Sequence, residues 1–470
     1  MANGAAGQGV AEALNEAPLG RFHLRVLLTA GTGFFTDAYD LFIIGVAMAL
    51  LKEEYHPSVF VIGLVGSTAL IAALVGATIF GRIADIFGRR AIYGLEATLM
   101  AVAAVGSALS PNLVWLIAWR FVLGVGIGGD YPVSAVIMSE YSNRKDRGRL
   151  VSMVFSMQAL GLVAGPLVAL VILAVGVPHD IAWRLMLGLG ALPALAIIYL
   201  RRRLPESPRY MSQVQGRDAE AAAALRTYTR EELTAATRAP RGSRSRLSLR
   251  QLVTTPRYLM LLAGTAGSWF LLDYTFYGNS ISSPLVLKAL APHAGLIEDT
   301  ALTLLVFSLF AVPGYVVAFI NIDRIGHRRL QFIGFAAMAV AFLAIGVIPK
   351  ITHEVLPFVV IFGVSYFFTE FGPNTTTFVL PAELYPVAAR TTAHGISAGT
   401  GKVGAFVGTF TFPLVLSVLG LSGVMLIAAS TACLGFLVTF LLPEPSGRTL
   451  EEASLGERAA VEPAMEPISA

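Results

Sequence analysis

Charged residues and cysteine are both scarce in this sequence. Only 14% of its 470 residues are charged, against about 25% in a typical soluble domain, which argues against a water-soluble globular protein. The single cysteine, Cys433, excludes an intrachain disulfide and a cysteine metal cluster. The chain also lacks a phosphate-binding P-loop and an H-E-x-x-H zinc motif, so we expect neither an enzyme nor a bound cofactor or metal.

Long apolar runs take the place of the missing charge. Hydrophobic residues make up 55% of the chain, and runs of about 20 residues, enough to cross a bilayer as a helix, recur from Phe22 to Leu442. The runs are continuously apolar rather than alternating, which indicates helices rather than barrel strands. We predict an all-α membrane protein with twelve transmembrane helices at 22–51, 60–80, 91–109, 113–139, 150–176, 182–200, 257–282, 299–321, 331–349, 355–380, 391–417 and 422–442.

Arginine and lysine concentrate in alternate connections between these runs. By the positive-inside rule this predicts a multi-pass protein with both termini cytoplasmic. We expect it in the plasma (inner) membrane. The net charge of +4 follows from this topology and does not indicate a nucleic-acid partner. One long polar stretch divides the chain. The predicted units are an N-terminal six-helix bundle (1–200), a cytoplasmic central loop (201–256), a C-terminal six-helix bundle (257–442) and a cytoplasmic tail (443–470).

Short basic loops recur at matching places in the two halves, "GRIADIFGRR" at 81–90 and "NIDRIGHRR" at 321–329. The repeat indicates two pseudo-symmetric bundles. The first loop resembles the G-x-x-x-D-x-x-G-R-R motif of the major facilitator superfamily, and "PESPRY" (205–210) and "PEPSGRTLEE" (443–452) resemble signatures of its sugar-porter-like branches. The resemblance implies the major facilitator fold, with a cytoplasmic latch that we assign to Asp85, Arg89, Glu140, Arg147, Asp323 and Arg328.

Charged side chains interrupt the apolar runs of the first half. A charge at the centre of a transmembrane helix costs about 2.5–3.5 kcal/mol on insertion scales, so each one needs a partner, water or a function. Asp37 and Asp40 share one face of the first span. Glu96 and Arg120 are available to each other. Asp130 lies ten residues after Arg120, about 15 Å along the helix, and therefore out of its direct reach.

The second half supplies further polar groups. Trp269, Asp273 and Tyr277 are spaced four apart and share a helical face. Lys402 lies deep in the eleventh span. The candidate hydrogen-bond donors of both halves are Tyr131, Gln158, Trp269, Tyr277, Asn374 and Lys402. Other interpretations stay open: an aromatic membrane belt, an interhelical hydrogen bond from the glutamine, and a lysine paired with a structural acid.

These donors and carboxyls suit a small oxyanion that carries O–H groups. The phosphate monoanion offers two protons to a carboxylate whereas sulfate offers none, and arsenate resembles phosphate in this respect. Ionised Asp130 and Asp273 against Lys402 would leave the pocket negative, so an anion requires a bound proton. The residues therefore predict proton–anion symport.

At these residues the sequence resembles the phosphate:proton symporter family of the major facilitators. The resemblance rests on "FFTDAYDLF", "GGDYPVSAVIMSE", "NTTTFVLPAELYP" and "AHGISAGTGKVGA". It implies import of phosphate with protons by alternating access. The implied phosphate-binding residues are Tyr131, Gln158, Trp269, Asp273, Tyr277, Asn374 and Lys402. The implied proton-coupling residues are Asp37, Asp40, Glu96, Arg120, Asp130 and Asp273. Two alternatives remain, a proton-coupled carrier of another organic acid or a sugar, and a phosphate receptor that does not transport.

Overall fold

The computed structural model describes residues 10–202, 204–229, 249–283 and 295–455, with residues 286 and 293. Every regular element in these residues is helical. The six long helices of the first half are α1 (Arg21–Tyr55), α2 (Val59–Phe87), α3 (Arg89–Ala108), α4 (Leu113–Tyr141), α5 (Arg147–Ala174) and α6 (His179–Arg201). Those of the second half are α7 (Pro256–Ile281), α8 (Leu296–Ile325), α9 (His327–Val347), α10 (Val355–Leu384), α11 (390–419) and α12 (421–441).

The boundary between α11 and α12 is a single glycine. The helical stretch Arg390–Leu441 has 52 residues, about 78 Å at 1.5 Å per residue, far more than one bilayer crossing needs. Gly420 breaks it with φ 65° and ψ −175°, a left-handed backbone that only glycine adopts easily. The prediction of twelve membrane-spanning helices in a major facilitator fold is confirmed, although several helices run past the predicted ends, as α2 does to Phe87.

Two helices of the second half are interrupted by π-helical turns. In α8 the turn is Phe307–Ala311, and in α10 it is Glu370–Asn374. Gly372 has non-helical φ −109° and ψ −105°, and Pro373 follows it. Because proline supplies no amide hydrogen, the regular helical bonding is lost at this point. The interruption of α10 therefore coincides with Asn374, a predicted phosphate-binding residue.

The two halves meet along two equivalent pairs of helices. Helix α2 packs against α11, and α5 packs against α8. Equivalent helices of the two halves differ by six in number, so α2 corresponds to α8 and α11 corresponds to α5. The two pairs are therefore related by the duplication of the bundle. The α2–α11 contact is close because Gly81 faces the carbonyl of Thr391 and Gly395 faces the carbonyl of Ala77, so a methyl group at either glycine would collide with backbone. The connections α2–α3, α4–α5, α8–α9 and α10–α11 share one end of the molecule, called here the arginine-rich end.

Candidate functional site

A buried lysine joins three helices at the centre of the molecule. Lys402 of α11 donates from Nζ to Asp273 Oδ2 and to Tyr277 Oη of α7, both at 2.9 Å. Its ammonium nitrogen also lies 4.6 Å from the ring centroid of Tyr131 on α4, within the range of a cation–π interaction. The hydroxyls of Tyr131 and Tyr277 are 3.2 Å apart. Both halves thus contribute to this central cluster, defined as Tyr131, Trp269, Asp273, Tyr277 and Lys402.

Aromatic rings shield the central cluster from water. Phe42 of α1 stacks on Tyr277 with centroids 5.6 Å apart. Trp269 lies 6.1 Å from Tyr131, and Phe378 of α10 lies 6.3 Å from Trp269. All five residues of the cluster are at most 1% exposed, so their electrostatic interactions are little weakened by solvent. The membrane-belt interpretation of the two aromatic residues, Trp269 and Tyr277, is wrong, because both face the interior between the halves.

Gln158 and Asn374 differ in how their amides are used. Among the described residues, neither the oxygen nor the nitrogen of the buried Gln158 amide has a hydrogen-bond partner. An unpaired buried polar group costs about 1–3 kcal/mol, which favours a ligand as its partner. The Asn374 amide nitrogen instead donates to Tyr315 Oη at 2.8 Å and to Glu370 Oε2 at 2.5 Å. The interhelical hydrogen bond considered for Gln158 is therefore not formed.

Asp130 belongs to a second buried cluster organised by an arginine. Arg201 lies at the end of α6, and its guanidinium contacts Asp130 at 2.7 Å and Glu96 at 2.5 Å. It also stacks over the ring of Tyr93 at 4.3 Å, and Ser134 donates to Asp130 at 2.5 Å. These contacts define the Arg201 cluster. They correct two expectations: Glu96 does not pair with Arg120, and the charge of Asp130 is balanced by Arg201 rather than opposed to Lys402.

The first-helix acids, Asp37 and Asp40, form no side-chain salt bridge with any residue that the structure describes. Arg120 donates to the main-chain oxygen of Asp40 at 2.9 Å. Within the part of the chain that the structure describes, neither carboxyl oxygen of Asp37 has a hydrogen-bond partner. Asp37 is 1% exposed and interacts electrostatically with Asp130, Arg201 and Lys402. A buried, unpaired carboxylate is strongly disfavoured, so this environment favours a neutral Asp37 that carries a proton.

Comparison with known proteins extends this picture to nearly the whole chain. The sequence model of the family described as "Sugar (and other) transporter" matches residues 26–455. The chain belongs to this family. Transporters of the family, rather than enzymes, are its relatives.

Within the family, the chain is similar to several plant proteins. It is 36% identical to "Inorganic phosphate transporter 1-11" of Oryza sativa subsp. japonica, covering 96% of this chain and 91% of the relative. It is 35% identical to "Probable inorganic phosphate transporter 1-6" of Arabidopsis thaliana, covering 97% of each. A third relative, "Low affinity inorganic phosphate transporter 4" of Medicago truncatula, is 35% identical over 95% of this chain and 94% of its own. The predicted phosphate:proton symporter family is thereby confirmed.

Solved structures of a major facilitator share the fold. The proton:xylose symporter XylE bound to 6-bromo-6-deoxy-D-glucose superimposes with a TM-score of 0.79, over 94% of this chain and 99% of that one. The partially occluded inward-open conformation of the xylose transporter XylE from E. coli superimposes with a TM-score of 0.72, over 90% of this chain and 99% of that one. The identities are 22% and 20%, so these comparisons carry the major facilitator fold and nothing finer.

In this family member, paired charges link the halves at the arginine-rich end. Arg147 of α5 contacts Glu383 of α10 at 2.8 Å. The symmetry-related pair, Arg390 of α11 and Glu140 of α4, is 3.7 Å apart. All four side chains are at most 2% exposed. Two salt bridges with the same arrangement therefore cross the boundary between the bundles in opposite directions.

The repeated aspartates form a second symmetric pair of contacts. Asp85 of α2 accepts from the amide of Thr392 at 2.7 Å and from its hydroxyl at 2.6 Å. Asp323 of α8 accepts from the amide of Arg149 at 2.7 Å. In both cases the donor residue, Thr392 or Arg149, lies two residues beyond the cross-boundary arginine of its own half. Carboxylates that accept main-chain amide hydrogens form strong, charge-assisted bonds.

The symmetry corrects the assignment of Arg328. Arg89 contacts Glu140 at 2.9 Å, and the residue that occupies the equivalent place in the second half is His327, 3.4 Å from Glu383. Arg328 corresponds to Arg90 instead, and its side chain donates to the carbonyl of Phe440 in its own half at 3.3 Å. Among the described contacts Arg328 does not cross the boundary.

Two glutamates of the signature segments were missed by the sequence analysis. Glu206 accepts from the amides of Arg89 and Arg90 at 3.2 and 3.1 Å. Glu444 accepts from the amides of His327 and Arg328, both at 3.0 Å. Burial raises the pKa of Glu206. Burial acts in the same direction on the pKa of Glu444, but the adjoining His327 holds it below the ordinary value.

A spacing in the sequence contained the signal for the other missed partners. "EYSNRKDR" (140–147) and "ELYPVAAR" (383–390) both place an arginine seven residues after a glutamate. Matching these segments would have predicted Glu383 and Arg390 as counterparts of Glu140 and Arg147. Arg201 carried no such signal, since it was grouped with the arginine run "RRR" that opens the polar stretch.

Proposed function

We propose that this chain is a proton-coupled symporter that carries inorganic phosphate through the membrane by alternating access. The observation that carries the proposal is the buried contact of Lys402 with Asp273 and Tyr277 at the boundary of the two halves. A lysine in this position attracts an anion, and the adjacent carboxyl makes that attraction depend on a proton. The names of the plant relatives support phosphate as the anion.

The groups around Lys402 favour the phosphate monoanion. Lys402 supplies the positive charge, and Tyr131, Gln158, Trp269 and Tyr277 supply donors and a closed apolar wall. The carbonyl oxygen of a protonated Asp273 beside the anion accepts a P–O–H hydrogen, which sulfate does not offer. Arsenate has the same shape, charge and hydroxyls as phosphate. We therefore expect arsenate to be carried and sulfate to be rejected.

Proton coupling follows from the engagement of Lys402. An ionised Asp273 holds the ammonium group and competes with the anion, whereas a protonated Asp273 leaves Lys402 free to bind it. Asp37 lies between this pair and the Arg201 cluster. We propose that protons pass from Asp40, which the charged Arg120 adjoins, through Asp37 towards Asp130 and the central cluster, so that a proton and an anion load together.

The symmetric contacts of the arginine-rich end serve as the latch of alternating access. We place this end on the cytoplasmic side of the plasma (inner) membrane, with both termini cytoplasmic, because its connections carry most of the arginine. With the salt bridges Arg147–Glu383 and Arg390–Glu140 formed, the path to that side is closed. Release of phosphate requires the two bundles to rock apart and these pairs to separate.

Uptake into proteoliposomes tests the proposed function. Radiolabelled phosphate is expected to accumulate when an inward proton gradient is imposed and to equilibrate only slowly without it. Excess arsenate should compete, whereas sulfate and xylose should not. Uptake that ignores the gradient and is not reduced by unlabelled phosphate would refute the proposal. Binding without any uptake would instead favour a receptor, and competition by an organic acid or a sugar would favour another carrier.

The latch gives a separate prediction. Arg147→Gln removes one cross-boundary salt bridge and leaves Glu383 with His327 alone, so we expect a larger population open at the arginine-rich end. The reporter is Ser139→Cys in a Cys433→Ser background, because Ser139 is buried where it donates to the carbonyl of Ala382 across the boundary. Its labelling by a membrane-impermeant maleimide is expected to rise several-fold.

The matched control for the latch is Arg144→Gln. Arg144 is three residues away, but it is 47% exposed and its contact to Glu16, at 3.5 Å, stays within one half. Exposed pairs contribute about 0–1 kcal/mol, so labelling should stay at the wild-type level. Equal labelling in both variants would contradict a latch role for Arg147.

A further inference from the structure

Glu370 is a buried carboxyl that the coupling scheme does not use. It lies in the π-helical turn of α10 and is fully buried. Its Oε2 accepts from the Asn374 amide at 2.5 Å, and its Oε1 has no hydrogen-bond partner among the described residues. A carboxylate so enclosed requires a cation or a proton to offset its desolvation.

The helices packed against Glu370 present no cation to it in the described part of the chain. Helix α8 contributes the Tyr315 hydroxyl, α7 contributes Asp273, and α10 itself contributes Tyr366. From α9 the turn meets the neutral Gly334 and the main-chain carbonyl of Leu330. Among the described residues, the charged group that acts on Glu370 is thus another acid, Asp273, which itself holds Lys402. Ionising both carboxyls would leave two negative charges for that one cation. The environment of Glu370 is that of a group which binds a proton.

The state of Glu370 determines what Asn374 can donate. Both amide hydrogens of Asn374 are in use, one on Glu370 and one on Tyr315. An ionised Glu370 holds the Asn374 amide hydrogen strongly, because a charged acceptor forms a stronger hydrogen bond than a neutral one. A proton on Oε1 leaves Oε2 a neutral carbonyl that holds this hydrogen less strongly, and a proton on Oε2 makes that oxygen a donor itself. In either case the asparagine amide is freer to donate to an anion.

We propose that Glu370 is a further proton-binding site of the transporter and that its proton frees Asn374 to bind the substrate. This inference rests on the proposed function and adds a carboxyl in the second half to the coupling groups. It assigns the proton of Glu370 a direct effect on phosphate affinity, separate from the effect of Asp273 on Lys402. The amide of Asn374 links the protonation of Glu370 to the binding of phosphate.

Phosphate binding to the purified full-length protein in nanodiscs tests the proposal. Labelled phosphate is titrated at pH 5.5 and at pH 8 for the wild type and for Glu370→Gln, which mimics the protonated acid. The ratio of the two dissociation constants at one pH cancels the titration of phosphate itself. We expect this ratio to change by about tenfold between the two pH values. A tenfold change corresponds to a difference of one pKa unit in Glu370 between the phosphate-free and phosphate-bound protein. An unchanged ratio would overturn the proposal.

The matched control is Glu354→Gln in the same half. Glu354 is 52% exposed and pairs only at the surface with Lys350, so this variant should follow the wild type at both pH values. If the wild type itself binds no phosphate, the proposed function fails together with the inference. If the wild type binds and the ratio stays constant, only the role of Glu370 is lost.

Two further variants separate proton control from a structural role. In an Asn374→Ala background, adding Glu370→Gln should change the pH dependence by less than about twofold, since the link is missing. A full effect in that background would contradict the mechanism. If Glu370→Gln does not fold, Glu370→Asp takes its place. This variant keeps the acid but withdraws it from Asn374, and it is expected to weaken the pH dependence; wild-type dependence would overturn the proposal.

Discussion

Asp273→Asn is expected to abolish proton-driven accumulation of phosphate. The asparagine cannot take up or release a proton, and it leaves Lys402 permanently free of an ionic partner. Lys402 keeps its contact with Tyr277 at 2.9 Å, so the variant should still bind phosphate. The measurement is uptake into proteoliposomes with and without an imposed proton gradient. We expect the gradient-dependent component to fall at least about a hundredfold, near 2.7 kcal/mol at 25 °C.

The surface variant Asp180→Asn is the matched control for this experiment. Asp180 lies in the first turn of α6 and is exposed, so the same chemical change there should leave uptake intact. Phosphate exchange across the membrane at zero gradient supplies the second readout. Retained exchange with lost accumulation identifies a coupling group. Normal accumulation in Asp273→Asn would remove Asp273 from coupling altogether.

Arg201→Gln is expected to destabilise the protein and to stop transport. The substitution leaves Glu96 and Asp130 buried without the cation that both contact at 2.7 Å or less. Removing one member of a buried ion pair typically costs about 3–5 kcal/mol, because the remaining charge is uncompensated. Thermal unfolding in detergent should therefore occur at a clearly lower temperature. Uptake of phosphate should fall to the background of empty liposomes.

The neighbouring arginine gives an exacting control for Arg201. Arg202 is exposed, and Arg202→Gln should change neither unfolding nor uptake. Combining Arg201→Gln with Glu96→Gln and Asp130→Asn removes all three charges and is expected to restore stability without restoring coupled uptake. Recovery of uptake in the triple variant would show that the Arg201 cluster is structural only, contrary to the proposed proton route.

Much of the fold could be predicted because the membrane imposes it. Every spanning segment must be apolar and about 20 residues long, so the twelve helices were visible as runs. The end of α2 was not, because Gly81 to Phe87 continue the helix past the apolar run into the arginine-rich end. The break between α11 and α12 was expected between the predicted spans 391–417 and 422–442, and the backbone angles place it at Gly420.

The candidate residues of the site could be predicted because polar groups in lipid are costly. That cost marked Asp130, Asp273 and Lys402, and the four-residue spacing on α7 correctly aligned Asp273 with Tyr277. The same reasoning paired Glu96 with Arg120 because both were interior and of opposite charge. It could not include Arg201, since an arginine at the end of an apolar run normally lies in the cytoplasmic connection that follows the membrane span.

The sequence by itself determined that this is a twelve-helix transporter of duplicated design and which polar residues lie within its membrane spans. These properties follow from local composition and spacing, which each segment carries alone. Only the tertiary structure decided the partners: Arg201 with Asp130, His327 in the place of Arg89, and Glu370 on Asn374. Partner choice depends on how helices far apart in the chain are rotated and packed, and at these distances a few ångströms decide which charges neutralise each other.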